Sequence, residues 1–307
     1  MTKEVHSDTY PAISPLNSNF SSRAVFITGA SRGIGLEIAV SYARAGASFV
    51  ALGARSGLDA TVKAVIDAAK EAGRPEPVVL PVQVDISDAT SVEAAAGLVK
   101  EKFRRLDVIV NNAGVLKDMG HRFAESDPEE WFSNYEINVK GPYLVLRSFI
   151  PLLLETEGGL KTVVTISSVG GLIASPGLSG YQGSKLAVMK LAEHAMSEYG
   201  EQGLVAYNVH PGNIHTSILG EGSLPDHLKP GRLSRGLYGS MIEWLTYDVS
   251  VFVDTAQLTG DALVYLTQER RDWLGGRYVN LTWDMPELVA KKDEIVDKDM
   301  LKVKLVV

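Results

Sequence analysis

Short apolar runs without polar alternation recur along the chain at 24–27, 49–52, 78–84, 108–110, 162–166 and 205–210. A strand with one wet face alternates apolar and polar residues, so continuous runs of this kind predict strands covered on both faces. Between them, apolar positions recur at helical spacing and predict helices over 34–45, 58–72, 89–103, 128–154 and 181–202. Strand, helix, strand in steady succession requires right-handed crossovers and a parallel sheet. The expected class is α/β, one doubly wound parallel sheet with helices on both faces.

Three stretches depart from this rhythm. Residues 1–22 are polar and turn-rich, with Pro11 and Pro15, and predict a flexible arm, disordered or laid across a surface. Ordered structure is expected from Arg23, in a single domain over 23–283. The segment 213–254 is long and irregular, with Gly220, Gly222, Pro225, Pro230 and Gly231 among its turn formers. A loop of that length in a compact domain is usually a lid or a binding segment. Its Leu224, Tyr238, Trp244 and Leu245 suit a cover over a bulky hydrophobic ligand, and equally the packing of the lid or a subunit contact. Residues 284–307 form a charged tail that ends on the apolar Leu305, Val306 and Val307.

Composition narrows the function. The 307 residues are 45% hydrophobic and 22% charged, as in ordinary globular proteins. With 30 basic against 37 acidic side chains, the net charge of −7 opposes a phosphate backbone, so nucleic acid is not an expected partner. The absence of cysteine excludes disulfides, thiolate metal sites and a catalytic thiol, and suggests a cytoplasmic protein. The N-terminus lacks the apolar run of a secretory signal, and 144–154, broken by Arg147 and Pro151, is too short to span a bilayer.

Chemistry enters at the end of the first strand, where Thr28, Gly29, Ala30, Ser31, Arg32, Gly33, Ile34 and Gly35 lead into a helix. Glycines let a backbone turn sharply and approach a pyrophosphate, and a helix N-terminus offers unpaired N–H groups to the anion. A plain strand-to-helix connection would read the same. Further along, Tyr181 and Lys185 lie four apart on a predicted helix and share one face. An ammonium beside a phenol favours the phenolate and lowers a tyrosine from its ordinary value near 10. Tyr181 is thus a candidate general acid for carbonyl reduction, or base for alcohol oxidation.

The glycine turn runs Thr-Gly-x-x-x-Gly-x-Gly, not Gly-x-Gly-x-x-Gly, and resembles that of the short-chain dehydrogenase/reductase family. Four more signatures of that family follow in order: Asp85-Ile86, Asn111-Asn112-Ala113-Gly114, Ser168 with Tyr181 and Lys185, and Pro211-Gly212. The resemblance covers about 23–280 and implies a Rossmann-type fold with an Asn138, Ser168, Tyr181, Lys185 catalytic set. Ser167 rivals Ser168, and the family's spacing to the tyrosine selects Ser168 to hold the substrate oxygen. Asn138 matches a position where a helix irregularity and a bound water extend the proton path from the lysine.

The resemblance also implies cofactor contacts. Gly29, Ser31, Arg32, Gly33, Ile34 and Gly35 would meet the pyrophosphate, and Asp85 and Ile86 the adenine. Asn112, Ala113 and Gly114 would line the cofactor, as would Tyr181 and Lys185. Pro211 and Gly212, the Ile214 backbone and the Thr216 hydroxyl would meet the nicotinamide carboxamide. NAD sites place an acid at the end of the second strand, whereas here it ends Ala54, Arg55, Ser56. With Arg55 and Arg32 placed to meet a 2′-phosphate, the expected cofactor is NADP(H).

His210 and His215 lack a third ligand at metal spacing, so no metal is expected. Members of the family commonly pair long helices, which implies a homodimer or homotetramer through 128–154 and 181–202. The tail is similar to those of some filamentous-fungal members that serve secondary metabolism. The leading expectation is hydride transfer on a bulky hydrophobic carbonyl or alcohol. The alternative keeps the cofactor fold without net redox turnover, as a dehydratase, epimerase, cyclase or regulator.

Overall fold

A computed structural model describes residues 1–215, 218 and 253–305. The amino half alternates β1 (Ala24–Thr28), α1 (Gly33–Arg44), β2 (Phe49–Ala54), α2 (Asp59–Glu71), β3 (Val78–Gln83), α3 (Ala89–Phe103) and β4 (Val108–Asn111). It continues through α4 (Pro128–Tyr135), α5 (Gly141–Glu155), β5 (Thr162–Ile166), α6 (Ser179–Tyr199) and β6 (Val205–His210). After 253 come α7 (Ala256–Thr267), β7 (Tyr278–Asn280), α8 (Met285–Ala290) and α9 (Lys292–Asp297).

The described strands form one seven-stranded sheet in the order β3-β2-β1-β4-β5-β6-β7, and every neighbouring pair is parallel. Ile38 of α1, Val65 of α2 and Leu263 of α7 are fully buried in one core layer. Val92 of α3, Phe149 of α5 and Ala192 of α6 pack in the layer on the opposite face. Strand order reverses between β1 and β4, so a crevice opens at their carboxyl ends, where doubly wound folds bind ligands.

The central strands are buried throughout, as continuous apolar runs require. β3 differs from the expectation of cover on both faces: it is the sheet's edge, Val78 is 55% exposed, and Pro81 is tolerated there because an edge has one side unpaired. α7 and β7 lie beyond the six-strand reading, β7 being only three residues long. The run Pro128–Glu155 is long and apolar enough to cross a membrane by length and composition, more than the 144–154 stretch suggests. Its Leu144, Val145, Phe149 and Leu153 are instead buried in the protein's own core.

Residues 1–22 are laid against the domain. Pro11–Ile13 and Pro15–Asn17 form single 3-10 turns that start on proline, and Ile13 and Phe20 are buried beside Tyr42 of α1. Burying two such side chains contributes about 1.5–3 kcal/mol each, so ordered structure begins before Arg23. The arm also meets the tail: Val5 bridges Trp283, and the His6 ring stacks on Tyr10 and bonds Asp284 at 3.1 Å. The tail in turn covers the β7 edge, where the Tyr278 N–H donates to the Leu301 carbonyl.

Candidate active site

The glycine turn is shaped by contacts that no side chain would fit. Gly29 has φ +67°, and a Cβ on it would lie 2.9 Å from Ala113 Cα. A Cβ on Gly35 would lie 2.3 Å from the Gly29 carbonyl oxygen. Gly33, at φ +55°, starts α1 after Arg32, whose extended backbone stands at the cap position without offering a side-chain acceptor. The first N–H groups of α1 are therefore left for an anion. Ser31 and Ile34 flank this turn, both half-buried.

Asn112 and Thr28 stitch this turn to β4 across the crevice. The Thr28 hydroxyl accepts from the N–H groups of Asn112 (3.0 Å) and Ala113 (3.1 Å). The Asn112 amide donates to the carbonyls of Thr28 (2.9 Å) and Gly29 (3.2 Å). A Cβ on Gly114 would come 3.1 Å from Asn138 Oδ1 and 3.6 Å from Lys185 Nζ, so glycine keeps the floor open beside the lysine. Asn111, at the end of β4, is buried with its side-chain oxygen unpartnered.

Arg32 in the glycine turn and Arg55 just past the end of β2 are both exposed, and neither forms an ion pair with a described residue. The Asp85 carboxylate accepts from the Ser87 N–H (2.9 Å) and hydroxyl (2.7 Å). These bonds, with Arg55 nearby, hold it below the ordinary carboxylate range. Ile86 turns its side chain onto Gly141 at the head of α5, so only its backbone is left for a cofactor.

Tyr181 and Lys185 sit on α6, and Lys185 Nζ stands 5.7 Å from the centre of the tyrosine ring. The Tyr181 hydroxyl faces Ser168, whose Oγ accepts from the Gly170 N–H at 3.0 Å. Gly170 leaves room there, since a Cβ on it would lie 3.1 Å from Ser168 Oγ and 3.6 Å from the Tyr181 ring. Ser167 is buried, and its hydroxyl donates to the Lys185 carbonyl at 2.9 Å.

Lys185 corrects the expectation of a lowered phenol in the free protein. Its ammonium donates to the Ile166 carbonyl at 2.9 Å, and burial pulls it down to about 8. Burial pushes the Tyr181 phenol up and Ser168 opposes this only in part. Desolvation is the leading cause in both groups.

The long helix expected over 128–154 is broken where Asn138 stands. Glu136–Lys140 is a π turn between α4 and α5, and it brings Asn138 to 1% exposure. The Asn138 oxygen accepts from the Val115 N–H (2.9 Å), and its amide donates to the Val115 carbonyl (2.9 Å) and Ser184 Oγ (3.0 Å). Asn134, one turn earlier, clamps Lys117 in the same way at 3.0 and 3.1 Å. Asn134 and Ser184 are absent from the sequence reading, although two asparagines four apart on a predicted helix were a usable signal.

At the end of β6, His210 is buried and pulled down to about 4 by desolvation, hence neutral. Pro211 and Gly212 are buried, Gly212 at φ +110°, and Ile214 is half-buried. Thr216 and most of the cover expected over 213–254 lie outside the described residues.

A parallel sheet that reverses at a glycine turn, with a serine, a tyrosine and a lysine at its carboxyl edge, defines the nucleotide-dependent oxidoreductases of Rossmann type. The family model "short chain dehydrogenase" matches residues 23–224, and the chain belongs to that family. A relative described as "Short chain dehydrogenase pigC" from Monascus ruber is 48% identical over 306 residues, covering 100% of this chain and 94% of its own. Levodione reductase has a similar structure, with a TM-score of 0.69 and 26% identity over 86% of this chain and 97% of its own. An alcohol dehydrogenase from Thermococcus sibiricus, solved with 5-hydroxy-NADP, is similar at a TM-score of 0.63 and 26% identity, covering 84% and 95%. The chain is an oxidoreductase of the short-chain dehydrogenase/reductase family.

Proposed function

We propose that the chain is an NADP(H)-dependent reductase of ketones or aldehydes, or the corresponding alcohol dehydrogenase, acting on a bulky hydrophobic substrate. The carrying observation is the Tyr181 hydroxyl facing Ser168 with the Lys185 ammonium 5.7 Å from the centre of its ring. The residues suit a nicotinamide dinucleotide: side-chain-free walls at Gly29, Gly35 and Gly114, uncapped N–H groups on α1, and exposed Arg32 and Arg55 where a 2′-phosphate would lie. When bound, the cofactor supplies or takes the hydride.

In this reading Ser168 orients the substrate oxygen, and Tyr181 gives it a proton in reduction or takes one in oxidation. Lys185 favours the phenolate electrostatically. Asn138 and Ser184 hold the Val115 loop against α6, which keeps the floor at Gly114 in place. A homo-oligomer fits the exposed Phe132, Tyr143 and Leu186 on α4, α5 and α6, whereas Met189, Ala192 and Ala195 of α6 belong to the core. Cytoplasmic residence and a natural-product ketone as substrate complete the proposal.

The test is consumption of NADPH with a panel of hydrophobic ketones and aldehydes, comparing the wild-type chain with Tyr181→Phe. Turnover that disappears in the variant while NADPH still binds supports the reading. Tight binding without consumption, in either direction, would favour a non-redox role instead.

A further inference from the structure

The turn that follows β6 is held from the far side of the 214–252 excursion. Thr259 of α7, itself 0% exposed, donates its hydroxyl to the Pro211 carbonyl at 2.8 Å. Asp254 Oδ2 accepts from the Asn213 N–H at 2.6 Å, and the Asp254 N–H donates to the Asn213 carbonyl at 3.2 Å. The same carboxylate lies on the bare face of Gly212, where a Cβ would come within 2.9 Å of Asp254 Cβ and Oδ2. Three successive residues of the turn are thus fixed by two side chains that stand more than forty positions away in the chain.

These contacts are specific to backbone groups. Asp254 forms no ion pair with a described residue, and burial pushes its carboxyl up, so its placement against one N–H of this turn carries a desolvation cost. An alanine at 259 would fill the helix interface without reaching Pro211. Both side chains therefore act on the shape of the turn.

We infer that Asp254 and Thr259 are positioning residues that preset the Pro211–Ile214 turn for the nicotinamide half of the cofactor. The inference rests on the proposed reading of that turn as the nicotinamide contact. Neither residue lies in the glycine turn or beside Arg32 and Arg55, so their effect is confined to one end of the ligand.

Calorimetric titration of the full chain with NADPH and with 2′-phospho-ADP-ribose, which lacks the nicotinamide, tests this directly. Asp254→Ala and Thr259→Val are expected to weaken NADPH about tenfold each, the scale of one buried or charge-assisted hydrogen bond, and to leave the fragment unchanged. Asp254→Asn and Thr259→Ser keep an acceptor for Asn213 and a donor for Pro211, and should recover most of the affinity. Equal weakening of both ligands, or undiminished NADPH binding in both truncated variants, overturns the inference. If the wild-type chain binds the fragment but gains nothing from the nicotinamide, the turn makes no such contact and the inference fails while the NADP site stands. Binding of neither ligand to wild type defeats the cofactor reading itself.

Discussion

Lys185 directs its ammonium to the Ile166 carbonyl at 2.9 Å while standing 5.7 Å from the centre of the Tyr181 ring. One main-chain oxygen at the end of β5 thereby sets where the charge sits relative to the phenol. The strand end that leads to Ser168 two residues later and the helix that carries Tyr181 are coupled through this bond.

Replacing Tyr181 with Phe removes the proton donor and should lower turnover by about 10²–10⁴-fold. NADPH affinity, read by titration, should change little, because the ring and its neighbours stay in place.

The pH profile should differ between directions. Burial raises the Tyr181 phenol, so reduction, which needs the protonated form, should be flat through neutrality and fall on the alkaline side. Lys185 loses its charge near 8 in the free protein, so kcat/KM should bend there. Oxidation needs the phenolate and should rise as pH increases. A reductive rate that climbs with pH would exclude Tyr181 as the acid.

Lys185→Met should abolish activity without loss of stability. A lysine held at about 8 in the fold, against an unfolded value near 10.4, costs stability while charged. That cost is present at neutral pH and shrinks as pH rises past the folded value. The shift corresponds to roughly 3 kcal/mol at most, offset by the Ile166 hydrogen bond. Thermal melts should place the variant at or above wild type near neutral pH, with the gap closing in alkaline buffer. A marked drop would show that the hydrogen bond outweighs the buried charge.

Arg55→Asp should invert cofactor preference. It removes a cation from the expected 2′-phosphate position and supplies the acid that ribose hydroxyls favour. NADPH affinity is expected to fall about tenfold or more, with NADH gaining or unchanged. An unaltered ratio in paired titrations would leave Arg32 as the reader.

Phe20→Ala empties a fully buried position against Tyr42 and should destabilise the chain by about 3–5 kcal/mol. The melting temperature should drop by about ten degrees, with specific activity of the folded protein preserved.

The core alternation was legible because a doubly wound sheet needs strands without a wet face and helices with one apolar stripe. β1, β4, β5 and β6 lie where those runs predict. The edge exposure of β3 was not, since Val78 to Gln83 look apolar whether a helix covers them or not. Of the two alternatives for the arm, the sequence could not choose the one laid across a surface, because Ile13 and Phe20 stand singly among polar residues and only their partners on the domain reveal a socket. The family's spacing selects Ser168 over Ser167, whereas the bond that ties the Ser167 hydroxyl to the Lys185 carbonyl appears only in the folded chain.

Local chemistry therefore came from order along the chain: the glycines at 29, 33 and 35, the four-residue step from Tyr181 to Lys185, and the acid-free end of β2. Such features act over one turn or one strand end, where covalent connection sets the distance. The raised phenol, the depressed lysine, the engaged amide of Asn138 and the Asp254 hold on Asn213 depend on burial and on partners far apart in the chain. Desolvation and long-range hydrogen bonds exist only once the sheet and helices have closed around those groups, so packing alone assigns them.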